Sequence, residues 1–145
     1  MIVELAEYER APGQVRGNPG LLREALFGER PTAEALIAEL DGRPAGLALF
    51  HGTFSTWECR PGIWLEDLYV PSRHRRSGVG GALFSAVAEL ALARGASRLE
   101  WAVLNWNSLA LDFYAKLDAQ RLDDWVMHRL DDETLARAAA SSAPG

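Results

Sequence analysis

The segment from residue 62 to residue 95 places the strongest constraint on how this chain can fold. The run GIWLEDLYV at 62–70 is dense in aromatic and apolar residues, and the basic, glycine-rich stretch PSRHRRSGVGGAL follows it. Apolar residues then recur every three or four positions up to Gly95. This pattern predicts a strand, a loop and a long helix over 78–94 that a glycine ends. Amides without helical partners and the positive end of the helix dipole make such a loop an anion site, above all for phosphate.

Two common nucleotide-binding loops do not match this segment. A P-loop requires a Gly-Lys-Ser or Gly-Lys-Thr step, which the sequence lacks, and a dinucleotide fingerprint requires a third glycine where Leu83 stands. Taken alone, the residues leave two interpretations open: an anion-binding loop, or a solvated basic turn whose glycines only start the helix. The spacing Arg75-x-x-Gly78-x-Gly80 favours the first.

The rest of the chain alternates helical and strand patterns. Apolar spacing, caps and turn residues predict helices at about 2–9, 19–27, 107–117 and 131–140, and strands at 33–40, 44–50, 97–104 and 122–130. Asp41-Gly42 separates the first two strands and favours a tight hairpin turn. The terminal SSAPG is expected to fray. The order of elements contains no repeat and no linker, so we expect one domain over 1–145, with an α/β (α+β) fold in which helices cover both faces of one sheet.

Composition and charge exclude several classes of protein. With 145 residues, 48% of them hydrophobic and 24% charged, the chain has the composition of a single globular domain. No apolar run approaches the roughly 20 residues that a membrane span needs, and the start lacks the pattern of a signal peptide. The net charge of −5 disfavours a nucleic-acid partner and suits cationic small molecules. Because Cys59 is the only cysteine, we expect no disulfide and a cytoplasmic location.

The glycine-rich loop and its surroundings resemble a known family. VPSRHRRSGVGGAL is similar to the motif Q/R-x-x-G-x-G/A of the GCN5-related N-acetyltransferases (GNAT), whose loop holds the pyrophosphate of acetyl-CoA. Further segments match in order, LAEYE, FSTW, WLEDLYV, VLNWN and DFYAKL, and they resemble the diamine or thialysine (spermidine/spermine-type) branch. The resemblance covers nearly the whole chain. It implies the GNAT fold with a mixed, mostly antiparallel sheet, acetyl-CoA as co-substrate, and a homodimer.

Two positions depart from the family pattern. Members of the family begin with a strand, whereas Met1 already lies at the first helix here. We therefore expect that strand to be absent, either because the chain is truncated or because a neighbouring element covers the edge that it leaves. Asp118 stands where the family has a glycine in F-Y-x-x-x-G. Aspartate tolerates left-handed backbone better than most residues, so we expect the turn to form at some cost.

Acetyl transfer from a thioester to an amine needs a neutral amine, and Glu66 is the candidate that provides it. An alkylammonium has a pKa of about 10.4, so roughly one molecule in a thousand is neutral at pH 7. Counting by twos along the strand puts Glu66, Leu68 and Val70 on one face, beside the strand end. The resemblance assigns the same residue. A carboxylate is a weak base for an ammonium, so we expect Glu66 to act through a water or to orient the amine. A solvated charge at the strand end is the alternative.

Tyr114 is the candidate general acid. In a helix capped by Asn107, the residues Asn107, Leu111 and Tyr114 lie on one face. The phenol can donate a proton or a hydrogen bond to the leaving sulfur. Without the resemblance, a tyrosine beside Phe113 is more often part of a core. The family motif favours the catalytic interpretation.

The resemblance also assigns the binding residues. For acetyl-CoA these lie on the strand backbone, in the glycine loop and at the start of the next helix: Leu68, Tyr69, Val70, Arg75, Arg76, Ser77, Gly78, Val79, Gly80, Gly81, Asn107, Ser108, Ala110 and Tyr114. For the amine they are acidic and aromatic side chains: Tyr8, Glu9, Trp57, Glu66, Asp67, Glu100 and Trp101. The three histidines are scattered without a metal or triad pattern, so we expect no metal.

The sequence therefore predicts an acetyl-CoA-dependent N-acetyltransferase that acts by direct transfer on a primary amine of a small cationic substrate, such as a diamine, a polyamine or a lysine-like amino acid. Cys59 lies in the wrong loop for a covalent intermediate. Two alternatives stay open. One is the same chemistry on a protein N-terminus, a lysine or an aminoglycoside, and the other is a catalytically silent acyl-CoA-binding regulatory module. Retention of Glu66 and Tyr114 argues against the second.

Overall fold

The computed structural model describes residues 1–141, and within them it has one four-stranded sheet. The strands are β1 Glu34–Leu40, β2 Arg43–Ser55, β3 Arg60–Tyr69 and β4 Leu99–Glu100, in the spatial order β1-β2-β3-β4. Strands β1 to β3 pair antiparallel, and β4 runs parallel to β3. The mixed, mostly antiparallel sheet expected from the sequence is therefore confirmed.

The helices also follow the sequence patterns. They are α1 Ile2–Tyr8, α2 Pro19–Phe27, α3 Val79–Ala93, α4 Ser108–Ala115 and α5 Asp132–Ala140. Each matches a predicted helix to within a residue or two at either end. The chain divides into two compact units, Met1–Ala102 and Val103–Gly145, of which the first contains the sheet with α1 to α3 and the second contains α4 and α5. No strand precedes α1 in the described part of the chain. None of the helices between residues 1 and 141 has the length and apolar character to cross a bilayer.

Two predicted strands are corrected by the structure. The strand expected at 97–104 is reduced to Leu99–Glu100, and the strand expected at 122–130 is absent from the described residues. In the latter segment the Trp125 amide donates a turn hydrogen bond to the Leu122 carbonyl at 3.2 Å. A β-prone sequence forms a strand only where its backbone finds a ladder partner, and no described strand pairs with this segment. Of the tail predicted to fray, only Ser141 lies among the described residues.

Helix α3 covers one face of the sheet and forms the main core there. The buried residues of this core come from β2, β3, α3 and the turn that follows it: Ala45, Ala48, Phe50, Ile63, Leu65, Val79, Leu83, Val87, Ala91 and Ala96. Gly46 makes the close packing possible, because a Cβ there would lie 2.7 Å from Val79 Cγ1 and 2.8 Å from Leu83 Cδ1. The missing side chain lets α3 lie directly on β2, which fixes where the first turn of α3 stands.

The opposite face of the sheet carries α1. Leu47 and Tyr69 are paired across β2 and β3 and are both buried, yet they lie outside the core beneath α3. Burial and, secondarily, the carboxylate of Glu4 in α1 raise the pKa of Tyr69, which places α1 on this side. Helices on both faces of the sheet are therefore confirmed.

Two turns form with the residues that the sequence supplies. In the hairpin between β1 and β2, Asp41 has φ 50° and Gly42 has φ 71°, as a type I′ turn requires. Asp118 adopts a left-handed φ of 54°, and its amide donates to the Ala115 carbonyl at 3.3 Å. The aspartate thus takes the conformation expected of the glycine that it replaces.

Candidate active site

The glycine-rich loop joins β3 to α3 and leaves the first amides of the helix open. Gly78 is the N-cap, with φ 87°, a left-handed conformation that suits glycine. The first helical bond runs from the Ala82 amide to the Gly78 carbonyl at 3.0 Å, so the amides of Val79, Gly80 and Gly81 precede it. A Cβ built at Gly78 or Gly81 meets nothing within 4 Å, and one at Gly80 meets a single atom, at 3.7 Å. The residues present therefore fit a phosphate group that approaches these amides.

Arg75 fastens this loop to its surroundings. Its Nε donates to the Val70 carbonyl at 3.2 Å, and its guanidinium carbon lies 4.5 Å from the centre of the Tyr8 ring. Ser77 Oγ donates to the His74 carbonyl at 2.6 Å inside the loop. Arg75 therefore links the end of β3 to α1. Arg76 is exposed and provides positive charge at the surface of the loop.

A β-bulge at Glu66 interrupts the alternation of side chains along β3. Leu65 lies opposite Phe50, but the next residue of β2 in the register, Leu49, lies opposite Asp67. Glu66 is therefore the extra residue on the bulged strand. The side-chain pattern of β3 changes phase at this position.

The prediction that Glu66, Leu68 and Val70 share one face is therefore wrong. Leu68 and Val70 pack against the core beneath α3. Glu66 accepts a hydrogen bond from Trp64, and Trp64 stands between two core residues, so its side chain leaves the sheet on the opposite face. The bulge is the physical reason, because the period of two holds only while each residue has one partner across the ladder.

Three carboxylates act on one another on this face. Burial, then the carboxylate of Glu66 and then that of Glu9, raise the pKa of Asp67 to about 6. Burial also raises the pKa of Glu9, the residue that follows α1. The structure thus brings together Glu9, Glu66 and Asp67, as the prediction of an acidic amine site requires. A cation among them would relieve both the repulsion and the desolvation.

Two side chains that the sequence analysis did not single out contact Glu66. The Trp64 indole Nε1 donates to Glu66 Oε2 at 2.8 Å, and His51 Nε2 lies 3.9 Å from the same oxygen. Trp64 and His51 are paired across β3 and β2. The sequence did contain a signal for the first contact. Trp64, a hydrogen-bond donor, precedes Glu66 by two residues on a strand, and this spacing puts both side chains on one face.

His51 also lines an open cavity of about 460 Å³, whose walls include none of Glu9, Glu66 and Asp67. The other walls come from the end of α2, the segment leading into β1 and the following residue of β2: Leu26, Pro31, Thr32, Ala33, Glu34 and Gly52. Most of these side chains are apolar or small. The carboxylate of Glu34 is already held by Arg94, at 2.6 and 2.7 Å, and this hydrogen bonding lowers its pKa.

The remaining residues predicted for the amine are spread more widely. Glu100 forms an ion pair with Arg98 at 2.8 Å. Trp101 packs edge-on against Phe84 of α3, with 5.2 Å between ring centroids, and therefore lies on the α3 side of the sheet. Trp57 is 90% exposed in the turn between β2 and β3. Glu100 is paired with Trp64 across β3 and β4 and so lies on the face of Glu66, whereas Trp101 lies on the opposite face.

Strand β3 has an open side near the glycine loop. β4 pairs only with Ile63 and Trp64, so past Trp64 no described strand lies along that side of β3. The backbone of Leu68 and Tyr69 there can accept an amide-bearing chain in the manner of an added strand. The carbonyl of Val70 is already engaged by Arg75.

In the second unit, α4 carries the residues predicted for the leaving group. Asn107 is its N-cap, as expected, and its Oδ1 accepts from the Ala110 amide at 3.2 Å. Ser108 is the first helical residue. The ring of Tyr114 lies 5.0 Å from that of Phe113, and burial raises the pKa of Tyr114 to about 12. The phenol is therefore protonated at every pH near neutrality. Over the described residues of both units, no group of three or more His, Cys, Asp and Glu is placed to hold a metal ion.

Comparison with known proteins gives consistent results. A family model described as the acetyltransferase (GNAT) family matches residues 3–119. Thialysine N-epsilon-acetyltransferase of Bos taurus is 39% identical over 150 residues, which cover 96% of this chain and 88% of that protein. L-ornithine N5-acetyltransferase NATA1 of Arabidopsis thaliana is 35% identical over 91 residues, which cover 63% of this chain and 40% of that protein.

The fold agrees with a solved structure. An integron cassette protein from the mobile metagenome of V. cholerae superposes with a TM-score of 0.80 at 22% identity, over 96% of this chain and 87% of that one. The family model spans most of the chain, and the bovine relative is matched over nearly its whole length. The resemblance carried by the glycine-rich loop is thus confirmed, and the chain belongs to the GNAT acetyltransferase family of acetyl-CoA-dependent N-acetyltransferases.

Proposed function

We propose that this chain transfers an acetyl group from acetyl-CoA directly to a primary amine of a small cationic substrate, such as a diamine, a polyamine or a lysine-like amino acid. The observation that carries the proposal is the bulge of β3, which puts Glu66 and Asp67 on one face of the sheet. Burial and the carboxylates of Glu66 and Glu9 accordingly raise the pKa of Asp67 to about 6. Carboxylates that repel one another in a partly buried place gain most from a cation. Thialysine and L-ornithine, which appear in the names of two relatives, each carry a primary amine on the side chain.

The glycine loop is the proposed binding site for the phosphates of acetyl-CoA. The amides of Val79, Gly80 and Gly81 point out of the start of α3, where the helix dipole is positive, and Arg76 adds a full charge nearby. The open side of β3 would bind the amide-bearing arm through the backbone of Leu68 and Tyr69. Bound there, acetyl-CoA supplies the acetyl group as an activated thioester.

Glu66 is proposed to prepare the amine. The acceptor arrives as an ammonium, and its N–H bond must break before the nitrogen can form the new N–C bond. Glu66 can hold the ammonium by charge and receive its proton, either directly or through a water. Asp67 and Glu9 would meet a second positive charge of the acceptor. The open cavity beside His51 offers room for the body of a small substrate.

On the basis of the family motif, Tyr114 is proposed to donate a proton or a hydrogen bond to the departing sulfur. Its raised pKa keeps the phenol protonated, which a general acid requires. The ammonium nitrogen loses two protons during the transfer and the departing sulfur takes up one of them. The transfer therefore releases one proton overall.

A thiol-release assay with acetyl-CoA and a panel of amines tests this proposal. We expect diamines and lysine-like amino acids to be acetylated faster than neutral arylamines, aminoglycosides or peptides. A preference for a peptide N-terminus, a peptide lysine or an aminoglycoside would replace the substrate class but keep the chemistry. Acetyl-CoA binding without turnover of any amine would favour a regulatory acyl-CoA-binding module instead.

We further propose a cytoplasmic homodimer, on the basis of the family resemblance and of the single cysteine. Light scattering on the purified protein tests the oligomeric state. A mass of twice 15.9 kDa is expected, and a mass of one chain would contradict it.

A further inference from the structure

The carboxylate of Glu66 is held through only one of its two oxygens. Trp64 Nε1 donates to Oε2 at 2.8 Å, a short bond to an ionised acceptor. Trp64 and Glu66 lie two residues apart on the same face of β3, where the bulge brings the acid over the indole. Among the described residues, no hydrogen bond or ion pair of Oε1 with a protein group accompanies this one.

His51 approaches the same oxygen from the neighbouring strand. Its Nε2 lies 3.9 Å from Glu66 Oε2, and its Nδ1 lies 3.2 Å from the carbonyl of Gly52. A carbonyl only accepts, so Nδ1 carries the hydrogen of that bond, and in the neutral ring Nε2 is then an acceptor that donates nothing to Glu66. The glutamate side chain is 53% exposed and the histidine side chain 40%, so neither is held in place by packing alone.

We propose that Trp64 is a positioning residue that fixes the carboxylate of Glu66 by Oε2 and leaves Oε1 directed to the acceptor amine. This inference rests on the proposed function of Glu66. An exposed glutamate otherwise distributes over several rotamers, and only a fraction of them place an oxygen where a bound amine can use it. The indole bond selects one arrangement before the substrate arrives, which is how positioning contributes to rate.

Trp64→Phe removes the N–H and keeps an aromatic ring on the strand. We expect kcat for a diamine to fall about tenfold, with the KM for acetyl-CoA unchanged, because the cofactor does not touch Glu66 in this account. Trp125→Phe is the matched control, since Trp125 is 71% exposed in the second unit, and it should leave kcat unchanged. Wild-type kcat in Trp64→Phe would overturn the inference.

A double-mutant cycle with Glu66→Gln separates positioning from a general structural effect. If Trp64 acts through Glu66, Trp64→Phe should change kcat less than twofold in the Glu66→Gln background. The same tenfold loss in both backgrounds would mean that Trp64 only supports the fold, and would contradict the proposal.

The bond itself can be tested without measuring activity. The five tryptophans give five indole N–H signals in a nitrogen-15 NMR spectrum. Glu66→Gln should move one of them upfield by several tenths of a part per million, and Trp64→Phe should delete that same signal. No movement of any indole signal would overturn the contact. If the wild-type protein acetylates no amine, the proposed function fails whatever these spectra show; an active wild type with an unchanged Trp64→Phe contradicts the positioning alone.

Discussion

Glu66 and Asp67 are consecutive residues of one strand, yet their side chains lie on the same face of the sheet. Regular alternation would send them to opposite faces, but the bulge at Glu66 leaves Asp67 opposite Leu49 and on the side where Trp64 holds Glu66. Repulsion between the two carboxylates is one cause of the pKa of about 6 at Asp67. Two adjacent acids on one face make a site for positive charge from two consecutive positions of β3.

The raised pKa of Asp67 makes stability depend on pH. Its pKa is about 6 in the folded chain and near the ordinary aspartate value of 3.8 when unfolded, so between these values the folded state holds a proton that the unfolded state has lost. The free energy of unfolding should therefore rise as the pH falls from 7 towards 4. Asp67→Asn removes the buried charge, and it should be more stable than the wild type above pH 6 by about 2 kcal/mol, less than the full linkage value because water reaches part of the side chain.

Urea denaturation of both proteins between pH 4 and pH 8 measures this effect. The difference in the free energy of unfolding should disappear near pH 4, where both side chains are neutral. Asp124→Asn, at an exposed turn position, is the control and should follow the wild type. A constant difference across the whole range would show that Asp67 does not titrate as its surroundings indicate.

The glycine loop can be closed without disturbing the fold. A Cβ at Gly80 meets only Val70, at 3.7 Å, so Gly80→Glu should fold while it places bulk and negative charge among the amides at the start of α3. We expect calorimetry to detect no acetyl-CoA binding in this variant. Gly13→Glu adds the same charge where nothing lies within 4 Å and should bind like the wild type. Unchanged binding in Gly80→Glu would mean that the phosphates bind elsewhere.

Tyr114→Phe tests the general acid. The change keeps the ring contact with Phe113 but removes the proton, so kcat should fall by about 100-fold or more while acetyl-CoA affinity is little altered. Because the pKa of Tyr114 is about 12, the size of the loss should be the same from about pH 6 to pH 10. Steady-state kinetics over that range are the measurement. Turnover at the wild-type rate would leave Tyr114 with a packing role only.

Gly46 sets the distance between α3 and the sheet. A methyl group there would lie less than 3 Å from the side-chain ends of Val79 and Leu83, so in Gly46→Ala these side chains or the start of α3 must shift. We expect a loss of roughly 1–3 kcal/mol in the free energy of unfolding, with weaker acetyl-CoA binding, because the loop moves with the helix. Gly52→Ala, on the same strand with nothing within 4 Å of its Cβ, should lose much less. Equal stability of the two variants in thermal denaturation would contradict the packing argument.

Local sequence patterns predicted most of the elements because their causes are local. Asn107 caps α4, Gly78 and the apolar spacing start α3, and Asp41-Gly42 turns the first hairpin through short-range geometry. The segment 122–130 was predicted as a strand because its composition favours one. A strand also needs a partner strand, and the sequence of the segment does not determine whether such a partner is present.

The sequence predicted which residue types form the candidate site, but not the face of the sheet on which the side chain of Glu66 lies. Glu9, Glu66, Asp67 and Glu100 were expected to form an acidic group. The structure brings the first three together, whereas Glu100 forms an ion pair with Arg98. The face that Glu66 occupies depends on the register between β2 and β3, where one extra residue reverses the alternation. The contact with His51 depends on the same pairing, so neither could be deduced from β3 alone. The single domain over 1–145 stays a prediction.

The most direct test of the account compares a linear diamine with the monoamine of the same chain length. If the acidic face around Glu66 receives a second positive charge, kcat/KM for the diamine should be at least about tenfold higher than for the monoamine. Tenfold corresponds to about 1.4 kcal/mol, which is more than the roughly 0.8 kcal/mol that one methylene contributes. Raising the ionic strength should increase the KM of the diamine more than that of the monoamine, because screening acts on the second charge. Equal or better kcat/KM for the monoamine at every salt concentration would contradict the cationic substrate class.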